Sequence, residues 1–482
     1  MRLQKGLIML NYFKNLTPTA KAIAVITVIG AILSVYNIFV PIYLDEAYYW
    51  VWSITPEWSY YDHPAMTAWI MWPFSLLGTN TFLVRLPTVI CMSVAIYYLF
   101  KLTLVMAGER QAWTVLIIFT IIPATQMGYV FITPDSPLIM FWCAAMYYTW
   151  LAIDTNKTKY FIISGFLTGF MMVSKYTGVL FPASVFIFIL VKRRDLLKDI
   201  RLWITVLIAA LCTFPIFYWN YLNDWISITF QYTHGTSEGF TFAGWDFVLF
   251  VLGSLLIPTP ILAWILIKYL YQKNLWFKDP SRLYLVILTL FPMLFFFYKG
   301  FFKKMELNWI IPAFLAGAVL IGIGAVQLNM KKTLKYGCIF ALVLSVVLRL
   351  APVLPFPPKL NIADRLLGYD EVCRYVADIV KEDDAVFSDH LTTASMLRFY
   401  IKDNRRVYIP VKTRFSQYTL WDYEPNVNMF AKDGLYVGKR DAGQELKMLF
   451  DKVEMVTIFD SVPKNATPKR FYIYRCYGKK QQ

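Results

Sequence analysis

Two short polar islands hold the residue types that do proton and phosphate chemistry. Tyr43-Leu44-Asp45-Glu46-Ala47-Tyr48-Tyr49-Trp50 follows the first long apolar run, and Tyr60-Tyr61-Asp62-His63-Pro64 comes soon after. Together they set three acids and one of the chain's three histidines beside a membrane-length apolar segment. Ionisable groups are costly to desolvate there, so they are candidates for function by default. Asp45 and Glu46 are neighbours, which on a helix points them about 100° apart. They therefore serve different tasks: one takes a proton while the other holds structure or substrate. The plainer role for Asp45 is an N-cap, and for Glu46 a structural hydrogen bond. Asp62-His63-Pro64 puts an acid and an imidazole before a rigid turn. That suits metal ligation or a phosphate contact by His63, or simply a turn with a capped helix.

Three further groups share the side of the membrane expected for these islands. Thr133-Pro134-Asp135-Ser136-Pro137 presents Asp135 between two prolines, as a carboxylate or as the cap of the next span. Lys175 sits at the tip of a short hairpin, in Ser174-Lys175-Tyr176, and Lys299, Lys303 and Lys304 precede Trp309. Cations on a side otherwise poor in them need a reason, and anionic phosphate is the natural one, with ordinary headgroup contact as the alternative. Lys304 and Asn308 are one helical turn apart and suit one pocket, or else the segment Lys304-Met305-Glu306-Leu307-Asn308-Trp309 is an interfacial anchor. His234 lies in the long outer loop Asn220–Trp245 and either reaches the site or is solvated.

The elements that position these groups are membrane helices. The chain has 482 residues, 58% hydrophobic and 16% charged, with repeated apolar runs near twenty residues. That is a polytopic membrane protein. Spans are expected near 20–40, 83–105, 112–131, 137–153, 160–174, 177–191, 202–219, 246–270, 283–298, 309–328 and 336–354, about eleven in all. The first reads as an uncleaved anchor, being too long for a signal-peptide core. The net charge of +16 comes from short basic loops that alternate with loops nearly free of Lys and Arg. These are cytoplasmic anchors, not a nucleic-acid surface. The N-terminus is then cytoplasmic and the tail extracytoplasmic. Residues 46–54 and 65–77, rich in Trp and Tyr and broken by prolines, suit helices lying in the interface. The tail alternates helix-like and strand-like segments: a helical stretch in Leu360–Asp383, strands at 385–388, 406–410, 455–459 and 470–474, and helices at 392–401 and 444–453. It reads as a small α/β domain, 356–482, after a transmembrane domain, 1–355, with Leu354-Pro355-Phe356-Pro357-Pro358 as linker. Cys373 and Cys476 lie in the tail, where they are free to pair if it is extracytoplasmic. Gly165-x-x-x-Gly169 and Gly322-Ile323-Gly324 are helix-packing sites, not nucleotide loops.

Asp45-Glu46-Ala47-Tyr48-Tyr49-Trp50, Tyr61-Asp62-His63-Pro64, Arg85-Leu86-Pro87, Thr133-Pro134-Asp135 and Ser174-Lys175-Tyr176 come in the order seen in bacterial family 39 glycosyltransferases. Over about residues 40–310 the chain resembles these relatives of the protein O-mannosyltransferases and the lipid A aminoarabinose transferases. Lys304-Met305-Glu306-Leu307-Asn308-Trp309 is similar to a further motif of the family. The resemblance implies a C-type glycosyltransferase fold, mainly α with interfacial helices and a small C-terminal α/β domain, and a polyprenyl-phosphate sugar donor. It puts the general base at Asp45, with Asp135 and Glu46 as the other catalytic candidates. Lys175, Lys304 and Arg85 become donor-phosphate candidates, and Tyr61, His234, Glu306, Asn308 and Trp309 substrate-binding ones. Asp62 and His63 occupy the place of a family pair that contacts metal and phosphate. His63 is not the lysine found there, which favours a divalent metal or a neutral hydrogen bond, with no other cofactor implied.

The chemistry suits the residues on its own terms. A sugar on a lipid phosphate carries its leaving group, so no nucleotide site is needed. One carboxylate takes the acceptor's proton and lysines meet the charge that gathers on the departing phosphate. The expected protein is an integral-membrane glycosyltransferase of the bacterial inner membrane with its site facing the periplasm. It acts on lipid A, another envelope glycan or a secreted protein, and its other partners are membrane lipids. The alternative is a flippase for lipid-linked sugars, which calls for charges midway along the spans.

Overall fold

The computed structural model describes residues 15–236, 242–351, 361, 364–403, 405–422, 428, 432–464 and 466–479. The expected proline-rich linker, at 354–358, lies outside them. Among the described residues, seven helices are long and apolar enough to cross a membrane: Pro18–Ile38, Thr81–Ala107, Asp135–Thr155, Ile200–Leu222, Pro280–Phe302, Leu307–Gln327 and Lys331–Leu350. Thr158–Ser174 and Tyr176–Lys192 are shorter apolar segments that meet at Lys175, the junction expected from the sequence. The run expected as one span at 246–270 is instead two helices, Trp245–Leu256 and Pro260–Tyr271, bent by 92°. The break is Ile257-Pro258-Thr259. Its proline lacks the N–H that the helix ladder needs, and Thr259 has φ 74°, so the ladder cannot run through.

Contacts divide the chain into two compact units. One holds Met1–Tyr36, Leu86–Val130 and Pro134–Val347; the other holds Asn37–Arg85, Phe131–Thr133 and Leu348–Gln482. The boundary is therefore not a single cut near residue 355. The segment Asn37–Arg85 folds with the tail.

The first unit is helical. Its core is made by the inner faces of the long helices, with Leu138, Trp142 and Leu285 fully buried and Leu180, Phe181 and Phe314 nearly so. Small residues let helices close on one another. A Cβ on Gly169 would stand 2.4 Å from the Cβ of Cys212, and one on Gly165 would stand 2.9 Å from the Thr205 carbonyl oxygen. Helices Thr158–Ser174 and Ile200–Cys212 thus meet through the Gly165/Gly169 face, a packing site of the kind expected for the small-xxx-small spacing.

The second unit is α/β. Five strands, β1 (Ala385–Ser388), β2 (Val407–Tyr408), β3 (Gly434–Gly438), β4 (Phe450–Ser461) and β5 (Lys469–Lys479), form one sheet in the order β2-β1-β3-β5-β4. β1 runs parallel to β2 and β3, pairing Val386 with Val407 and Leu435, while β5 is antiparallel to β3 and β4. β3 carries no alternation because all its residues are buried, so a period-two reading misses it. The helix expected at 444–453 stops at Leu449, and the chain turns at once into β4. Cys373 and Cys476 are free, buried thiols in different apolar clusters.

Helices Leu44–Ile54 and Met66–Ser75 belong to this unit, and the first is not laid out on a lipid surface as its composition led us to expect. Glu46 to Ser53 are all buried. Trp50 meets Phe399 of helix Leu391–Ile401 edge-on at 5.3 Å, and Trp52 stacks on Tyr60 at 4.3 Å. The aromatic residues are core, each pair adding ~0.5–1.5 kcal/mol beyond its area.

Candidate active site

Helix Leu44–Ile54 begins at a bend whose N-cap is Tyr43, not Asp45. Asp45 and Glu46 fall in its first turn, where the helix dipole favours acids. Their surroundings differ completely. Glu46 is fully buried and held by three residues. Arg85 meets it twice, Nη2 to Oε2 at 2.6 Å and Nε to Oε1 at 3.0 Å. The Ile132 and Tyr43 backbone N–H groups donate to it at 3.2 and 2.9 Å. Arg85, expected at a donor phosphate, gives its remaining protons to the carbonyls of Asn37, Val40 and Pro41 at 3.0, 2.7 and 2.7 Å. A guanidinium has five N–H protons, and here all five are taken. It is 0% exposed, with nothing left to offer a phosphate.

Asp45 is half-buried and, among the described residues, has no hydrogen-bond or ion-pair partner. Burial pushes its carboxyl above the usual carboxylate range. The charges of Asp62 and Glu46 push it further, while Arg414 and Arg365 pull it back.

Asp62 is engaged. The Tyr48 hydroxyl donates to Oδ2 at 2.8 Å and Arg414 Nη2 to Oδ1 at 2.8 Å. Burial raises its carboxyl too, against the pull of Arg414 and Tyr48. The His63 ring lies 6.4 Å from that of Tyr49. Asp62 and His63 were expected as a metal pair. They do not fit one: both Asp62 oxygens serve Tyr48 and Arg414, and no cluster of three His, Cys, Asp or Glu suited to a metal occurs among the described residues. Tyr61, a substrate candidate, is buried; its N–H donates to Gln417 Oε1 at 2.8 Å and its ring packs on Phe415 at 4.9 Å.

Arg414 and Gln417 close this site from the tail, and sequence reasoning missed both. Gln417 also donates its backbone N–H to the Tyr48 hydroxyl at 3.1 Å. A signal was available for Arg414. Lys412-Thr413-Arg414 is a basic run in a segment expected outside, the same anomaly that singled out Lys175 and Lys304.

The helical unit holds a second cluster. Asp135 is the first residue of its helix, where the two flanking prolines fix the turn. Lys175 Nζ donates to Oδ1 at 2.7 Å and Asn308 Nδ2 to Oδ2 at 2.7 Å. The acid and the lysine are 7% and 5% exposed. Lys175 comes from the kink between two helices and Asn308 from the 3-10 turn Leu307–Ile310. Lys304 and Glu306 lie exposed just before that turn, and the Lys304 ammonium has no partner among the described residues. Trp309 packs near Phe296, at 6.5 Å between ring centres. His234 falls in helix Ile226–Thr236, and its side chain lies outside the described residues. An apolar cavity of about 650 Å³ opens among the same helices, lined by Phe161, Phe181, Val185, Ala209, Phe217 and, next to Lys175, Tyr176.

Comparison with known proteins supplies the rest. The family model described as dolichyl-phosphate-mannose-protein mannosyltransferase matches residues 62–219. The lipid A galacturonosyltransferase RgtD of Rhizobium johnstonii is 25% identical over 382 residues, 76% of this chain and 79% of that protein. The undecaprenyl phosphate-alpha-4-amino-4-deoxy-L-arabinose arabinosyl transferase of Shewanella sediminis is 24% identical over 309 residues, 60% of this chain and 55% of that one. The crystal structure of ArnT from Cupriavidus metallidurans bound to undecaprenyl phosphate superposes with a TM-score of 0.70 at 12% identity, covering 95% of this chain and 97% of that one. The matched residues take in Asp62, Asp135 and Lys175, and the fold agrees over nearly the whole length. The chain is therefore similar to the mannosyltransferase-like family over residues 62–219 and shares the fold of ArnT over nearly its whole length.

Proposed function

We propose that this protein transfers a sugar from a polyprenyl-phosphate donor to lipid A at the outer face of the bacterial inner membrane, with Asp45 as general base. The relatives of similar sequence are named as lipid A galacturonosyltransferase and undecaprenyl-phosphate aminoarabinose transferase, which supports both donor and acceptor. The observation that carries the role of Asp45 is contrast. Glu46, Asp62 and Asp135 are tied up by cations and donors, while Asp45 alone of the four keeps its carboxylate uncommitted. It is also the group whose burial and acidic neighbours strengthen it as a base.

In the step, an acceptor oxygen attacks the anomeric carbon of the donor sugar. The bond from that carbon to the phosphate oxygen breaks, and polyprenyl phosphate leaves with the electron pair. Where the acceptor is a hydroxyl, its proton passes to Asp45. Direct displacement inverts the anomeric centre. Lys304, whose ammonium makes no ion pair among the described residues, is the candidate for the phosphate charge that grows as the bond breaks. Asp135 holds Lys175 and Asn308 in place and is not the base. Glu46 and Arg85 brace the bend that presents Asp45. The apolar cavity beside Tyr176 suits the polyprenyl chain. The flippase alternative has no support among relatives that are named as transferases.

The test is transfer by the detergent-purified protein, read as the mass increase of lipid A on addition of an undecaprenyl-phosphate sugar. Asp45→Asn keeps the volume and removes the proton acceptor. Product formation should fall at least about a hundredfold, with the folded yield unchanged. A wild-type rate from Asp45→Asn would remove Asp45 from the mechanism.

A further inference from the structure

A second cavity, of about 770 Å³, opens within the α/β unit. It has no part in the chemistry above, yet its lining begins at Tyr43 and Leu44, the residues just before Asp45. Five cations line it, Arg365, Lys412, Lys439, Arg440 and Lys469, against two acids, Asp364 and Asp389. Both acids accept hydrogen bonds from neutral protein donors. Asp364 accepts from the Thr467 N–H and hydroxyl at 2.6 and 2.8 Å, and Asp389 from the Lys439 and Arg440 N–H groups at 2.7 and 3.1 Å. Arg440 pairs with Glu445 at 2.8 Å, and Lys469 lies 4.0 Å from Asp364. Arg365, Lys412 and Lys439 make no ion pair among the described residues.

Like charges so gathered repel one another, and the five cations outnumber the two carboxylates in the lining. Partial burial, reinforced by Lys469, holds the Lys439 ammonium below its usual range against the pull of Asp389 and Asp364. His390, lowered by burial and by Arg414 and Lys439, is neutral and N-caps helix Leu391–Ile401, whose first turn faces the cavity through Thr392 and Thr393. The dipole of that helix adds to the positive field. The space is far larger than one phosphate. Thr413 adds a hydroxyl, and the Tyr369 ring lies 4.6 Å from the Lys439 ammonium. Arg365 meets the Tyr43 hydroxyl and its charge is felt at Asp45, so this cavity and the base share one edge.

We propose that this cavity is an acceptor site that grips a phosphate group of the phosphorylated sugar headgroup of lipid A, through Lys412, Lys439 and Arg365, and so presents the reacting oxygen to Asp45. The proposal rests on the transferase reading for its acceptor. The same phosphate chemistry has a second source, the donor lipid, and the experiment separates the two.

Equilibrium binding is measured on the full-length, detergent-purified protein with no sugar donor present. Three probes are used: lipid A carrying its phosphates, the same lipid A after phosphatase treatment, and undecaprenyl phosphate. The variants are Lys412→Gln/Lys439→Gln and Lys412→Arg/Lys439→Arg, both residues being exposed. For phosphorylated lipid A, the Gln pair should raise Kd at least about tenfold and the Arg pair should restore it. Wild-type protein should bind phosphatase-treated lipid A as weakly as the Gln pair binds the phosphorylated form. Undecaprenyl phosphate affinity should not follow the Gln substitutions. If it does and lipid A affinity does not, the cavity serves the donor and the acceptor proposal is overturned. Equal binding of treated and untreated lipid A by wild type also overturns it, whether or not the variants fold. Binding is read without turnover. A protein that binds phosphorylated lipid A in this pattern but transfers nothing would sink the transferase reading and leave the cavity assignment standing.

Discussion

At the scale of residues, four acids on one expected face of the membrane divide by what holds them. Asp135 has Lys175 and Asn308, Asp62 has Tyr48 and Arg414, and Glu46 has Arg85 and two backbone N–H groups; Asp45 is left open. Two outcomes follow from this division. The Asp45 carboxyl stands above the usual range because of burial first, and Asp62 next. As a base it works only when ionised, so transfer should fall as pH drops through its raised pKa. Asp62→Asn removes the neighbouring negative charge and leaves Arg414 without its partner. Both changes favour ionised Asp45, so the acid limb of the pH–rate profile should move to lower pH. A limb that stays in place or moves up would put the titration on another group. Arg85→Met tests the clamp. It strands the buried Glu46 charge, and breaking such a pair costs about 3–5 kcal/mol. The expected result is a sharp loss of folded protein by size-exclusion chromatography and thermal unfolding, rather than a stable protein with weakened donor affinity.

At the scale of elements, the helices are fixed by apolar length and the joints between them by single residues. Pro258 and Thr259 break one long apolar run at a right angle, and Lys175 marks the kink between two short helices. Close contact is set by glycine. Gly169→Ala would bring a Cβ to 2.4 Å from that of Cys212, which backbone on both helices must absorb. Overpacking of this kind costs ~1–3 kcal/mol, and the thermal midpoint in detergent should fall. Gly317→Ala is the matched control. Its Cβ would meet side-chain atoms at 3.4 Å or more, so the midpoint should hold or rise slightly from better helix propensity. Equal effects at both positions would show that the close approach of the two helices is not what Gly169 provides. In the α/β unit, the helix Leu44–Ile54 was legible as a Trp- and Tyr-rich segment. Its place was not: such composition suits an interface or a core equally, and only the packing of Trp50 on Phe399 decides.

At the scale of the whole molecule, the informative fact is which segments fold together. Residues 37–85 and 348–482 share one compact unit, so Asp45 and the tail must face the same side of the membrane. The basic loops, with Arg193, Arg194, Lys198 and Arg201 among them, are the ground for expecting residue 195 on the cytoplasmic side. Reporter fusions after residue 195 should therefore read cytoplasmic and after residue 420 periplasmic. A cytoplasmic reading at 420 would move Asp45, Arg414 and the cationic cavity to the inner face and end the proposed acceptor assignment.

Sequence by itself determined what local chemistry can write. Apolar length marked the membrane helices, and the spaced motifs from Asp45 to Trp309 marked the likeness to known glycosyltransferases. It also isolated Asp45, Lys175 and Lys304 as anomalies, since a charge in apolar surroundings is visible from its neighbours alone. Tertiary structure decided which of these groups are free. Glu46 and Arg85 are 39 positions apart and Asp62 and Arg414 are 352 apart, so no window of sequence shows that they neutralise one another. The cationic cavity is of the same kind. Arg365, Lys412 and Lys439 look like scattered surface charges until the sheet and helix Leu391–Ile401 bring them to one wall. Electrostatic energy depends on distance in space, and the fold alone sets that distance.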